Sequence, residues 1–335
     1  MSVNLQAFDA REFGNQALKI VFKQKAVIAI GLMLFVMLFS DTNFYSMLNI
    51  RNVFSVAAPN LIIAFGVTFA VICRGCDLSV GSVMSLSGIL AIQMVNSGMN
   101  MFAAIMLAVL SGAVVGFING FLIVHQKTEA FIITLGMGML VKGIALYLTD
   151  ANPVPSRNLD FMMIANGRNF FGIPIPFGMQ NIVVYMLLLG LLAFVLLRFT
   201  SFGRNIYALG GDYEVAEHSG ISVIFTKWAA FTLCGTFAAI AGVLNASMMN
   251  TGSAIYGDAI PLMVNCGVVI GGTSFAGGVG GIMHSFIGIM VMELLRNCMN
   301  AFTIGRFIQT FILGVVIVSI ICMDCYAIKR KKEDV

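Results

Sequence analysis

Charge is what this sequence has least of. Only 10% of its 335 residues are Asp, Glu, Lys or Arg, where a water-soluble domain carries about a quarter. Too few polar atoms remain to cover a globule in water. Histidine is also scarce: His125, His218 and His284 are scattered, with no i, i+4 pair to hold a metal and no basis for a nucleophile–base arrangement. Strand-length alternation of apolar and polar residues is missing, which excludes a membrane β-barrel. No GxxxxGK[ST] run occurs, so the chain does not hydrolyse ATP by itself. "GGTSFAGGVGG", Gly271 to Gly281, has the glycines of a phosphate loop but runs on into Ile282 and Met283, without the lysine and hydroxyl that would hold phosphate and magnesium. The seven cysteines show no spacing of a secreted disulfide framework.

What is present in abundance is apolar sequence, 59% of the chain. It falls into runs of about 20 residues, the length that crosses a hydrocarbon core of about 30 Å. The expected fold is all-α, a polytopic membrane protein of about ten spans. These are placed near 26–40, 54–73, 80–95, 101–124, 130–148, 182–198, 224–247, 260–272, 281–296 and 304–323. The basic flank before Ala26 is followed by no small-residue cleavage pattern, so the first run reads as a retained span. Lysine and arginine bias sets orientation. Arg11, Lys19, Lys23 and Lys25 precede the first run and Lys329 to Lys332 follow the last, which puts both termini in the cytoplasm. The expected parts are a cytoplasmic segment 1–25, a transmembrane domain 26–324 and a basic tail 325–335. The longest inner loop is then 200–222 and the longest outer loop 149–181, where "GIPIP" reads as a proline-stiffened turn. The formal charge of +4 comes from the ends of spans and needs no nucleic acid.

Gly112, Gly116 and Gly120 make two overlapping small-xxx-small repeats, which let a second helix approach closely. Asn119 and Thr134 offer side chains that can hydrogen-bond between helices. Ionisable residues inside the runs are few: Lys142, Glu293 and Asp258. That poverty speaks against an ion-driven carrier and for energy supplied by another chain. Two CxxC pairs, Cys73 with Cys76 and Cys322 with Cys325, both fall on the expected cytoplasmic side and raise the alternative of a thiol–metal sensor or scaffold. The soluble stretch "TSFGRNIYALGGDYEVAEHSGIS", Thr200 to Ser222, stands between two oily runs. Within it "YEVAEHSG" has helical character, with Asp212 to cap its start, Glu214 to suit its dipole and Gly220 to end it. Glycines on both sides read as hinges of a part that transmits motion.

Five stretches in order carry a resemblance: "GCDLSVGSVMSLSG" (Gly75 to Gly88), "GFINGFLI" (Gly116 to Ile123), "AFIITLGMGMLVKGIAL" (Ala130 to Leu146), the Thr200–Ser222 segment and "VVIGGTSFAGGVGG" (Val268 to Gly281). Together they resemble the membrane permease subunit of ribose-type ATP-binding-cassette (ABC) importers, from about Ala26 to Asp324. The resemblance implies a multi-pass protein of the bacterial inner membrane that gives a monosaccharide or similar polar solute its path. It implies a second permease copy or sister permease, a cytoplasmic cassette ATPase that binds ATP and Mg, and a sugar-binding protein outside; this chain itself holds no cofactor or metal and has no catalytic residues. Phe202, Gly203, Arg204, Gly210, Gly211, Asp212, Glu214 and Gly220 would belong to the element coupled to that ATPase. Asn60, Ser85, Asn119, Thr134 and Asn265 are the modest polar groups expected along the path. The sequence departs from the family pattern where Pro261 and Met263 hold positions usually acidic, Asn265 one usually apolar, and Lys142 one usually arginine. A self-sufficient secondary carrier is the other alternative.

Overall fold

The computed structural model describes residues 44–170 and 172–333, with Gly31, residues 33–35 and Leu38 ahead of them; among 320–333 only the Cys322 side chain is described. The expected span at 26–40 therefore lies largely outside the described residues. From there on a helix stands at each expected run. They are α1 (Met47–Ile72), α2 (Val80–Asn96), α3 (Met101–Gln126), α4 (Ala130–Thr149), α5 (Leu159–Asn166), α6 (Asn181–Phe199), α7 (Ser201–Gly211), α8 (Tyr213–His218), α9 (Val223–Met249), α10 (Ile260–Ile270), α11 (Ile282–Ala301) and α12 (Arg306–Glu333). Six of these, α1, α3, α4, α6, α9 and α11, are long and apolar enough to cross a membrane; α2, α10 and the apolar part of α12 are shorter.

The helices differ in how much of themselves they bury. α1 is enclosed nearly throughout, as expected of a helix apolar on every side, while α3, α4 and α6 keep most of their surface open. α9 packs against α1, α2 and α3 and is the other axis of the bundle. Its contact with α3 is made by the small-residue repeat. A Cβ on Gly116 would lie 2.2 Å from the Phe231 carbonyl oxygen, and one on Gly235 would lie 2.2 Å from that of Gly112. The backbones touch because no side chains intervene. Gly116→Ile is expected to cost on the order of 3 kcal/mol, read as a fall in melting temperature of the purified protein; an unchanged transition would mean that the helices can part here without loss.

Two breaks in the helices matter most. Residues 73–79 join α1 to α2, and residues 250–259 join α9 to α10, in non-helical backbone apart from the two-residue strand Thr251–Gly252. That strand pairs antiparallel with Val154–Pro155 of the 149–181 segment. Beyond it the chain runs back along α2: Gly252 packs on Ile89 and Gly257 on Gly81. The 149–181 segment also contains α5 and a small hairpin of Asn169–Phe170 with Ile173–Pro174. The hairpin and the 3₁₀ turn Pro176–Gly178 account for "GIPIP".

Candidate functional site

The Thr200–Ser222 segment folds as two helices, where the sequence suggested one. Thr200 caps α7, its hydroxyl accepting from the Gly203 amide at 3.2 Å. Three glycines hide this helix from a propensity argument, and each has a different reason to be there. Gly203 sits where the chain turns out of α6, and a Cβ on it would fall 2.0 Å from the Leu197 carbonyl oxygen. Gly210 would meet the Ile72 oxygen at 1.8 Å, while Gly211 faces open space. Gly210 is thus a contact glycine at the helix end and not a hinge. Ile206 and Leu209 point into the core. Phe202 stacks on Phe69 of α1 at 6.1 Å, and exposed Arg204 donates to Ser201 Oγ at 2.7 Å.

The second helix is built as its residues suggest. Asp212 caps α8 by accepting from the Val215 amide at 3.0 Å, and Glu214 stands exposed in the first turn. Gly220, at φ +78°, ends it. Its amide donates to the Glu217 carbonyl and that of Ile221 to Ala216, the paired bonds of a left-handed helix stop. Only Ala216 of α8 is buried; Tyr213 and Val215 are 42% and 62% exposed. Beneath α8 lies a cavity of about 820 Å³ lined partly by Arg74, Lys127, Glu129, Tyr213, Glu217 and Lys227. The Lys227 ammonium stands 5.6 Å from the Tyr213 ring centre.

A junction ties α7 to the 73–79 break and to the 271–281 loop. Arg74, in the left-handed region at φ 60°, donates from Nε to the Gly210 carbonyl at 2.8 Å and from Nη2 to that of Gly211 at 2.6 Å. Those carbonyls end α7, where a cation suits the helix dipole. The glycine-rich 271–281 loop closes the junction. The Gly278 amide donates to Ile72 at 2.9 Å and the Tyr207 hydroxyl to Gly280 at 2.8 Å. Burial raises the Tyr207 phenol above its ordinary range, against a smaller opposing influence of Arg198, so it stays a neutral donor. Gly277, Gly278 and Gly280 take positive φ, which few other residues tolerate. The sequence assigns neither Arg74 nor Tyr207 a role in this junction. The signal was a lone arginine between two apolar runs, and a tyrosine in the middle of α7.

The other end of the 73–79 break is pinned by polar side chains. Asp77 is fully buried, its Oδ1 accepting from the Ser79 amide at 2.8 Å and hydroxyl at 2.6 Å. Asn119 Nδ2 donates to Ser79 Oγ at 2.9 Å. Thr134 Oγ1 accepts from the Leu78 amide at 3.1 Å and donates to the Cys76 carbonyl at 3.0 Å. Asn265 Nδ2 donates to the carbonyls of Asp77 at 3.0 Å and Pro261 at 2.8 Å. Three of the five polar residues expected along the path thus converge on one loop. The others hold elsewhere: Ser85 Oγ accepts from the Gly257 amide at 3.0 Å, and Asn60 Nδ2 donates to Glu293 Oε1 at 2.6 Å. All five are buried among the chain's own helices. Irregular backbone at membrane depth persists only where protein satisfies it, and these side chains do so.

Among the described residues the two CxxC pairs are not brought together. Cys73 Sγ donates to the Ala70 carbonyl and Cys76 Sγ to Asn265 Oδ1, while Cys322 is exposed on α12 and the Cys325 side chain lies outside those described. Among the described residues no three His, Cys, Asp or Glu side chains gather as ligands.

Comparison with known proteins matches residues 49–321 to the family described as branched-chain amino acid transport system / permease component. Ribose import permease protein RbsC of Bacillus subtilis (strain 168) is 36% identical over 313 residues, covering 92% of this chain and 94% of its own. The protein of that name from Escherichia coli (strain K12) is 32% identical over 304 residues, covering 91% and 94%. D-allose transport system permease protein AlsC of the same strain is 33% identical over 282 residues, covering 82% and 83%. No solved structure matches the chain.

Proposed function

The chain belongs to the family described as branched-chain amino acid transport system / permease component, and from that membership we propose that it is the membrane subunit of an ATP-driven importer for a monosaccharide or similar small polar solute. It crosses a bacterial inner membrane about ten times with both termini in the cytoplasm, and it works beside a second permease, in the simplest case its own copy. A cassette ATPase binds ATP and Mg beneath it, and a sugar-binding protein delivers solute from outside. The names of the relatives, which span ribose and allose, support the solute class. One observation in the structure carries the coupling role. A short capped helix, α8, stands off the bundle with apolar Tyr213 and Val215 exposed, and its neighbour α7 is tied through Arg74 to the break between α1 and α2.

On this reading α8 seats in the ATPase. Closure of the nucleotide sites pushes α7, and the Arg74 junction passes the push to the 73–79 and 271–281 loops. The cavity beneath α8 gives it room to move. The test is ATP hydrolysis in lipid nanodiscs holding this chain with its cassette ATPase, with and without a sugar-loaded binding protein. Val215→Asp, which changes an exposed side chain, is expected to lower the stimulated rate by roughly tenfold. Stimulation that survives this change and Glu214→Arg would mean that α8 is not the seat.

A further inference from the structure

α4 carries a lysine and the 250–259 break an aspartate, 116 residues apart in sequence, that meet at Lys142 Nζ–Asp258 Oδ1 2.7 Å. The Lys142 side chain is 37% exposed and that of Asp258 49%. Their depth is set twice over. Lys142 lies about 10 Å inside the end of α4 at Thr149, at 1.5 Å per residue. Asp258 follows Gly257, whose amide is held by Ser85 Oγ and whose backbone packs on Gly81 in the first turn of α2. A lysine and an aspartate at that depth are costly against lipid chains and are found facing protein interiors or water-filled paths. Neither is buried in its own chain, so their open sides call for a wet or polar neighbour. Around them the wall is unobstructed: Gly136 and Gly143 of α4 have nothing near them, and Ala259 is exposed beside Asp258.

We propose that Lys142 and Asp258 form a substrate contact on the wall of the solute path, a deepening that rests on the importer reading above. An ammonium and a carboxylate in contact offer a donor and an acceptor side by side. A sugar hydroxyl is both acceptor and donor, so one hydroxyl, or two on adjacent carbons, can bridge the pair as solute passes. A half-exposed pair holds its partners weakly and opens to such a guest at little cost. The buried Asn60–Glu293 contact has no such open side. Selectivity then has a contribution from the permease: solutes with neighbouring hydroxyls pass better than those lacking them.

Two measurements test this on the assembled transporter. Lys142→Cys and Asp258→Cys, in membranes, are exposed to 2-aminoethyl methanethiosulfonate, with the parent chain as background. Both are expected to react, and in Lys142→Cys the added ammonium is expected to restore uptake. Uptake of D-ribose, L-arabinose and D-allose is then compared in Lys142→Met, Lys142→Arg and the double variant Lys142→Met/Asp258→Leu. For whichever sugars the parent transports, Lys142→Met and the double variant are expected to lose about tenfold or more, Lys142→Arg to keep most, and binding-protein-stimulated ATP hydrolysis to remain. Failure of both cysteines to react, or recovery of uptake in the double variant, would show a pair that serves only to hold α4 to the 250–259 segment and would overturn the proposal. A parent chain that neither takes up any of the three sugars nor stimulates its ATPase would instead sink the importer reading, and this inference with it.

Discussion

Replacing Gly210 with valine is expected to reduce uptake by on the order of a hundredfold, because couplings of this kind are worth up to about that factor. A Cβ at Gly210 would fall 1.8 Å from the Ile72 oxygen and 2.5 Å from the Gly278 nitrogen. Both are backbone atoms of segments that cannot swing aside as a side chain can. Ile72 ends α1 and Gly278 belongs to the glycine-rich loop, so the added bulk would pry apart the three segments that Arg74 and Tyr207 hold together. Gly211→Ala is the matched control. Its Cβ meets nothing, alanine favours the helix by about 1 kcal/mol over glycine, and uptake should stay near that of the parent. The informative readout is uptake alongside ATP hydrolysis. If Gly210→Val hydrolyses ATP without moving solute, the junction is the transmission. If the two variants transport alike, force reaches the membrane helices by another route.

Loss of the Asp77 carboxylate is the second large effect. Asp77→Ala removes the acceptor for the Ser79 amide and hydroxyl inside the bundle, leaving both donors without that partner and the Asn119–Ser79 link without its anchor. Leaving buried donors unsatisfied costs about 1–3 kcal/mol each, enough to lower the melting temperature of the purified protein by several degrees. Asp77→Asn keeps an oxygen in place for Ser79 and should lose clearly less. Thr134→Val removes the bonds of this hydroxyl to Leu78, Cys76 and Phe131 and is expected to fall between the parent and Asp77→Ala. Equal stability of Asp77→Ala and Asp77→Asn would mean that the 73–79 loop is held by its neighbours' packing and not by this acceptor.

Both effects bear on residues that a reading of the sequence treated unevenly. Gly210 reads in the sequence as a hinge, whereas in the structure it makes room for the end of α1. A glycine needed for positive φ, such as Gly220, and a glycine needed for a close approach, such as Gly210, are the same letter in a sequence. Only the partner backbone tells them apart, and that partner comes from a segment far along the chain. The role of Asp77 is invisible in the sequence, because it depends on Ser79 and Asn119 being brought around it.

The sequence by itself determined where the long apolar helices fall and how α8 is capped, but not α5 or α7. Lipid forces each spanning segment to satisfy its own backbone, and caps act within a few residues, so both are local and legible. The tertiary structure alone decided that Asn119, Thr134 and Asn265 converge on one loop, that Arg74 reaches the end of α7, and that Lys142 meets Asp258. Each of those pairings joins residues from segments far apart in the chain. Which face of one apolar helix touches which face of another is decided by the packing of the whole bundle, since nearly every face in this chain is oily enough to fit.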